Sequence, residues 1–294
     1  MAAAPLLDRE FLEKLERLTI HWQKSFPGLV GGHNRSRLPG AGQEFLDHRN
    51  FHYGDDLRAV NWHAYLRLEK LFLKMFQVEP RVPVRMLVDV SASMTAYDGG
   101  KFDYARKLAA SLCYVGLVRL DSIEVHGFSN RLGHRIASSG GRHRFPGVMD
   151  RIAALTPEGP SDFLAVTREL IGVYSQRGLV VIISDFLDDR GCERALQYLA
   201  DFGHELMLLQ VWANEDRTPP WTGELELRDA ETGANLKLDF DDQARRRYTY
   251  AFEEYCAMVQ TMAHRSGGRY AGISTSQALE NVIFGELIRM RGIA

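Results

Sequence analysis

Pro83-Val84-Arg85-Met86-Leu87-Val88-Asp89 runs directly into Val90-Ser91-Ala92-Ser93-Met94, and the reading of this passage decides the fold. Its first half is a strand-length apolar run interrupted by Arg85 and closed by Asp89. A second run, Leu179-Val180-Val181-Ile182-Ile183, closes on Ser184-Asp185. Short continuous apolar runs of this kind fit strands covered on both faces, in the middle of a parallel sheet. Between the two in sequence stands Ser161-Asp162.

Outward from these strands, the chain alternates between strand and helix. After the glycine loop Asp98-Gly99-Gly100, a helix runs from Lys101 to about Leu120, with Phe102, Ala105, Leu108, Leu112 and Val115 on one face. Ser122 to Phe128 reads as a strand and Arg131 to Ile136 as an antiparallel edge strand. Helices are expected over Phe145–Leu155 and over Asp162–Ser175, the latter capped by Ser161 or Asp162. Further on come a helix at Cys192–Phe202, a strand at Glu205–Val211, a long helix at Asp241–His264, a strand at Gly268–Ile273 and a helix at Gln277–Arg291. Glu224–Asp229 and Asn235–Leu238 alternate strictly across Glu231-Thr232-Gly233, which predicts a β-hairpin inserted near residues 222–240. The class is therefore α/β, a doubly wound, mostly parallel sheet; right-handed crossovers leave few strand orders, and the one expected among them is 3-2-1-4-5-6 with one early edge strand reversed.

Residues 1–80 read as an N-terminal helix followed by a small β-rich accessory section, an α+β piece ahead of the main domain at 81–294. The helix is expected over Leu6–Trp22 and a strand over Glu44–Arg49. Tyr53-Gly54-Asp55-Asp56 reads as a turn whose Asp caps a short helix through Val60. Tyr65–Glu79 reads as two short strands around Glu69-Lys70.

Composition narrows the function classes. A net charge of −2 gives no general drive toward nucleic acid or an anionic surface. The three cysteines, Cys113, Cys192 and Cys256, form no CxxC pair, so neither a disulfide framework nor a zinc site is indicated, and a reducing cytoplasm is expected. No apolar stretch approaches the roughly 18–20 residues of a membrane helix, so no membrane segment is expected. His134, Arg135, Arg142, His143 and Arg144, with Lys101, Arg106 and Lys107 elsewhere, read as a mild basic excess on solvated faces.

In the expected strand order, Asp89 and Asp185 stand at the carboxyl ends of neighbouring strands where the winding reverses, the place where such sheets bind ligands. Asp89, Ser91 and Ser93 put one carboxylate and two hydroxyls on a single loop; Ser161 adds a hydroxyl and Asp185 a second carboxylate. All are hard oxygen donors, which favours Mg2+, or Mn2+, over zinc or copper. Such a set leaves a coordination position open for an acidic side chain of another protein.

Asp89-x-Ser91-x-Ser93, then Ser161, then Asp185 resembles the metal-ion-dependent adhesion site of von Willebrand factor A-like domains, over roughly residues 80 to 290. Tyr53-Gly54-Asp55-Asp56-Leu57-Arg58-Ala59-Val60-Asn61-Trp62, then Lys74 to Glu79, then the Asp89 motif, is similar to the bacterial domain-of-unknown-function family fifty-eight. Members of that family typically occur beside MoxR-type AAA+ ATPases. At the third hydroxyl position, commonly Thr in the wider pattern, this chain has Ser161. The resemblance implies a non-enzymatic, metal-dependent interaction module whose partner is a MoxR-type ATPase or its client. A magnesium-dependent phosphoester hydrolase is the alternative, disfavoured because no phosphate loop, G-x-S-x-G elbow or nucleophile–base pair is visible. Nucleic-acid binding through the arginines of residues 31–67 ranks below both, given the net charge.

Overall fold

Val84, Met86 and Val88 leave their strand on one side and Leu87 on the other, and each set is buried in its own apolar core. That two-sided burial is the signature of the centre of a doubly wound sheet. The computed structural model describes residues 6–21, 39–40, 44–52, 60–77, 82–97, 99–187 and 191–293, with backbone alone at 39–40, 44–49 and 74–77. In chain order the elements are α1 (Arg9–Leu15), β1 (Pro39–Gly40), β2 (Glu44–Asn50), α2 (Trp62–Leu68), β3 (Phe72–Gln77), β4 (Pro83–Asp89) and α3 (Gly100–Val118). There follow β5 (Ser122–Phe128), β6 (Ile136–Ser138), α4 (Phe145–Ala153), α5 (Phe163–Val173), β7 (Leu179–Ser184), α6 (Cys192–Phe202), β8 (Glu205–Trp212) and α7 (Asn214–Arg217). The last are β9 (Gly223–Arg228), β10 (Asn235–Phe240), α8 (Asp242–Arg265), β11 (Arg269–Ser274) and α9 (Leu279–Asn281). These residues fall into two compact units, one drawn from Met1–Lys24 and Pro83–Ala294, the other from Ser25–Val82.

In the larger unit the six-stranded sheet runs β11-β8-β7-β4-β5-β6. Every pairing is parallel except β5 with β6. Counted along the chain within this sheet, that is the expected 3-2-1-4-5-6 order. The core on one face includes Leu108 and Leu112 of α3 and Ile152 of α4; the other includes Leu170 of α5, Leu196 of α6 and Val259 of α8. The hairpin β9–β10 is a separate two-stranded ribbon, present where the alternation placed it. In the smaller unit β1, β3 and β2 form an antiparallel sheet.

Several local expectations differ from what is observed. The first helix spans Arg9–Leu15 rather than Leu6–Trp22, with the Asp8 side chain accepting from Phe11 N at 2.8 Å. Beyond it Leu18 and Ile20 are buried in the main core, and Ile20 bridges antiparallel to Ile293. The helix stops because these side chains are needed in an extended segment. The opening segment therefore belongs with the main unit, not with the rest of residues 1–80.

Tyr65–Glu79 does not form two strands. Asn61 caps α2 by accepting from Ala64 N, Trp62–Leu68 contains no β-branched residue, and Glu69 in the left-handed region (φ 51°) ends the helix. The second half is the strand β3 as expected. The Gly54-Asp55-Asp56 turn lies outside the described residues, and Val60, expected to close a helix, bridges antiparallel to Leu73 instead.

The edge strand begins at Ile136, where pairing with Val125 starts, and not at Arg131. Residues before it form a tight turn in which Gly133 N donates to Gly127 O at 2.8 Å. A Cβ at Gly133 would lie 2.5 Å from that carbonyl, so a side chain there has no room. The final helix is broken in type: α9 passes into a π-helical turn at Val282–Leu287, whose wider winding buries Val282, Ile283 and Leu287 together. No helix among the described residues is long and apolar enough to cross a membrane.

Leu15, with 0% of its surface exposed, tests the assignment of the opening segment to the main core. Leu15→Ala should lower the unfolding free energy of the full chain by about 2–5 kcal/mol in urea denaturation. A loss below about 0.5 kcal/mol would mean that the segment is not part of that core.

Candidate cation site at the carboxyl ends of the central strands

Val88 pairs with Ile183 across the parallel β4–β7 ladder, which brings Asp89 level with Ser184 and leaves Asp185 one step beyond. The Ser184 hydroxyl donates to Asp89 Oδ2, and the backbone N–H of Ser91 donates to Asp89 Oδ1 at 2.8 Å. The second bond folds the loop back over its own carboxylate, a turn that Asp forms readily. It sets the Ser91 and Ser93 hydroxyls 3.1 Å apart. Ala92 N donates to Gly159 O at 2.8 Å and Glu158 N to Val90 O at 2.6 Å, so the loop carrying Ser161 is laced to the loop carrying Ser91. Asp162 caps α5 by accepting from Ala165 N at 2.8 Å. That settles which of the two neighbours is the cap and leaves the Ser161 side chain for the site.

All five residues chosen from the sequence thus lie at a strand end or on loops that the sheet brings together. Asp89, Ser91, Ser161 and Asp185 are buried, and Ser93 and Ser161 line a cleft of about 880 Å³.

Four other side chains belong to the same place and were not selected from the sequence. By sequence Ser184 is no more than the end of a strand. Lys101, which the sequence places in a solvated basic excess, is 1% exposed, and its Nζ lies 2.8 Å from Asp185 Oδ2 and 3.4 Å from Asp216 Oδ2. Asp216, on the short α7 helix, also accepts from Ala213 N at 2.8 Å. Glu231, at the hairpin tip, accepts from both Ser161 N and Ser161 Oγ at 3.2 Å. A signal for Lys101 existed: two carboxylates at buried strand ends call for a counter-ion, and Lys101 opens the helix that follows the first of them.

The electrostatics follow from burial. Desolvation, and then the Asp185 carboxylate, push the Asp89 carboxyl from its ordinary 3.8 up to about 7, against the pull of the hydrogen bonds from Ser184 and Ser91. Burial works against the Lys101 ammonium, but Asp185 and Asp216 outweigh it and hold the group above the usual lysine value. Burial also raises Glu231, with Asp185 adding to the effect and the Ser161 hydrogen bonds opposing it.

The donor set suits a hard divalent cation. It consists of carboxylates and hydroxyls, and ligands bonded at about 2.0–2.1 Å to an octahedral ion stand about 3 Å from their neighbours. The 3.1 Å between the Ser91 and Ser93 hydroxyls matches that spacing. Among the described residues, no group of three or more His, Cys, Asp or Glu side chains is placed to hold a metal. Any ion here would therefore depend on the serine hydroxyls, with the carboxylates acting directly or through water.

A carboxyl raised on folding contributes stability that is complete below its unfolded value and disappears as pH climbs through its folded value. Without divalent cations, the Asp89 contribution should therefore fade between pH 3.8 and about 7. Asp89→Asn removes the charge, keeps an acceptor for Ser91 N, and meets the Ser184 hydroxyl as a donor instead of an acceptor. It should flatten that part of the stability–pH profile and be roughly 1–3 kcal/mol more stable than the parent near pH 8 in chelator-treated urea titrations. An unchanged profile would show that Asp89 is not held as an uncompensated charge.

The sequence profile of the family described as "Protein of unknown function DUF58" matches residues 47–281. Uncharacterized proteins of Mycobacterium bovis and Mycobacterium tuberculosis are each 26% identical over 287 residues, covering 92% of this chain and 86% of theirs. Among solved structures, the conserved hypothetical protein BatB of Bacteroides thetaiotaomicron is similar with a TM-score of 0.44 at 16% identity, covering 71% of this chain and 98% of that one. An aerotolerance-related membrane protein of Bacteroides fragilis gives the same TM-score, 0.44, and identity, 16%, over 71% of this chain and 99% of its own.

Proposed function

The chain belongs to the DUF58 family of proteins of unknown function, and we propose that this member is a non-enzymatic, cation-dependent protein-interaction module. Asp89, Ser91, Ser93, Ser161 and Asp185 would hold Mg2+, or Mn2+ in its place. The bound ion would supply a Lewis-acidic position that an acidic side chain of a partner protein can occupy. The partner is a MoxR-type AAA+ ATPase or a client that the ATPase remodels, as the family resemblance implies.

One observation carries the reading. Three loops, following β4, preceding α5 and following β7, deliver oxygen donors to one rim of the sheet, beside an open cleft. The charge balance supports it. Lys101 bonds to Asp185, whereas Asp89 is met by neutral donors, so the site keeps negative charge that a divalent ion would compensate. The von Willebrand factor A-like resemblance of the Asp89–Ser91–Ser93 motif points the same way.

Binding to the folded state alone raises stability, by about 2.7 kcal/mol when the free ion stands at 100 times its Kd. Mg2+ or Mn2+ should therefore raise the melting temperature of the full chain, and chelator should reverse the shift. Asp89→Ala and Asp185→Ala should abolish it. Co-sedimentation with a MoxR-type ATPase should be lost with chelator and in both variants. Partner binding that is indifferent to chelator would sink the proposal. Phosphoester turnover that requires Mg2+ and Asp89 would replace it with a hydrolase.

A further inference from the structure

We propose that Glu231 is itself a donor of the cation site: the inserted hairpin delivers a carboxylate to the position that a partner's acidic side chain would take, so the protein carries its own competitor. This rests on the cation-site reading above and adds to it an occupant and a means of control.

The argument starts from the hairpin tip. Asp229 Oδ1 accepts from Glu231 N at 2.8 Å and from Thr232 N at 2.6 Å, and Gly233 completes the reversal with φ +71°. These bonds fix the backbone of Glu231. Its carboxylate then reaches across to Ser161, with Oε1 and Oε2 at 3.2 and 3.5 Å from Ser161 Oγ and Oε2 at 3.2 Å from Ser161 N. The spacing between Ser161 Oγ and Glu231 Oε1 is close to the roughly 3 Å of neighbouring donors around one Mg2+ or Mn2+. In this arrangement the Ser161 hydroxyl spends its proton on Glu231, and its lone pairs remain available to an ion.

The rest of the ribbon is built to let go. Leu227 and Leu236 are exposed, and β9 and β10 are mostly open to solvent. A two-stranded ribbon is marginal by itself, so its seat depends on its two ends. One end is Glu231 on Ser161. The other is the base, where Trp221 stacks on Tyr97 with ring centres 5.9 Å apart and Phe240 meets Tyr248 edge-on at 6.3 Å. Tyr97 closes the turn that begins in the Ser91–Ser93 loop, so the base of the hairpin is tied to the same stretch of chain that carries two of the site's hydroxyls. The adjoining cleft is lined by Leu187, Tyr255, Met258 and Met262, with Arg194 also on its wall. An acidic partner side chain with apolar neighbours suits that lining, and it would have to displace Glu231 to enter.

The test uses the full chain and Mn2+, comparing the parent with Glu231→Ala, whose tip position leaves the buried core untouched, and Glu231→Gln as the isosteric control. Calorimetry should show Mn2+ bound about ten-fold more weakly by Glu231→Ala. Water-proton relaxation per bound Mn2+ should rise, because water takes the vacated position. Amide exchange at Ser161, whose N–H bonds to Glu231, should speed up about ten-fold in Glu231→Ala without metal. Glu231→Gln should restore that protection in part but not the Mn2+ affinity. Mn2+ bound with equal affinity and hydration by the parent and both variants overturns this inference alone. Mn2+ bound by none of them overturns the cation-site reading and this inference with it.

Discussion

Two carboxylates sit at adjacent strand ends with almost no contact with water: Asp89 is 1% exposed and Asp185 4%. Each buried charge of this kind costs several kcal/mol unless its surroundings compensate it. The compensation here is uneven. Asp185 has an ammonium, Lys101, at 2.8 Å, with Asp216 sharing that cation from the far side. Asp89 has a hydroxyl and a backbone amide. A charge four residues earlier on the same strand face is treated differently: Arg85 meets Glu124 at 2.9 Å and lies over the Tyr174 ring. The interior can supply a fixed counter-ion when one is called for, and at Asp89 it supplies neutral donors only.

Lys101 also stands where a lysine is electrostatically unwelcome. It lies in the first turn of α3, at the positive end of the helix dipole. Gly99, with φ +77°, lets the chain turn sharply into that helix and places the lysine beside the strand ends. The position makes sense as a response to Asp185 rather than as a contribution to the helix. In the same way, the Asp229 side chain serves the turn that presents Glu231, accepting from Glu231 N and Thr232 N.

Much of this was legible in the residues, for a physical reason. Leu179–Ile183 is apolar on both faces, and so is Pro83–Val88 apart from Arg85, a pattern that suits a central parallel strand, and chain alternation then restricts the strand order. Asp89 and Asp185 could be placed at neighbouring ends because strand order alone determines that. Less was legible where tertiary contacts override local pattern. Leu18 continues the helical spacing of the first segment, yet the chain beyond Leu15 is extended and Ile20 pairs with the far end of the chain. Leu71 to Val78 alternates as a strand, but Asn61 and a run of helix-compatible residues claim the stretch before it. Periodicity assigns Lys101 to a helix and Glu231 to a hairpin tip without saying what either side chain reaches. Where a charged group goes depends on elements that are distant in sequence, and pattern carries no information about them.

The antiparallel bridge between Ile20 and Ile293 has a consequence for how the protein is made. His21 N donates to Gly292 O at 2.9 Å, and Arg269 reaches His21 O at 2.7 Å, so one of the first ordered segments is locked by one of the last. Contacts spanning nearly the whole sequence carry the entropy of closing a very long loop and slow folding accordingly. On the ribosome, Ile20 can meet α3 early, but its bridging partner is missing until residue 293 has emerged. Through that interval the nascent chain holds a greasy segment without its partner, and in that window a chaperone has most to offer it.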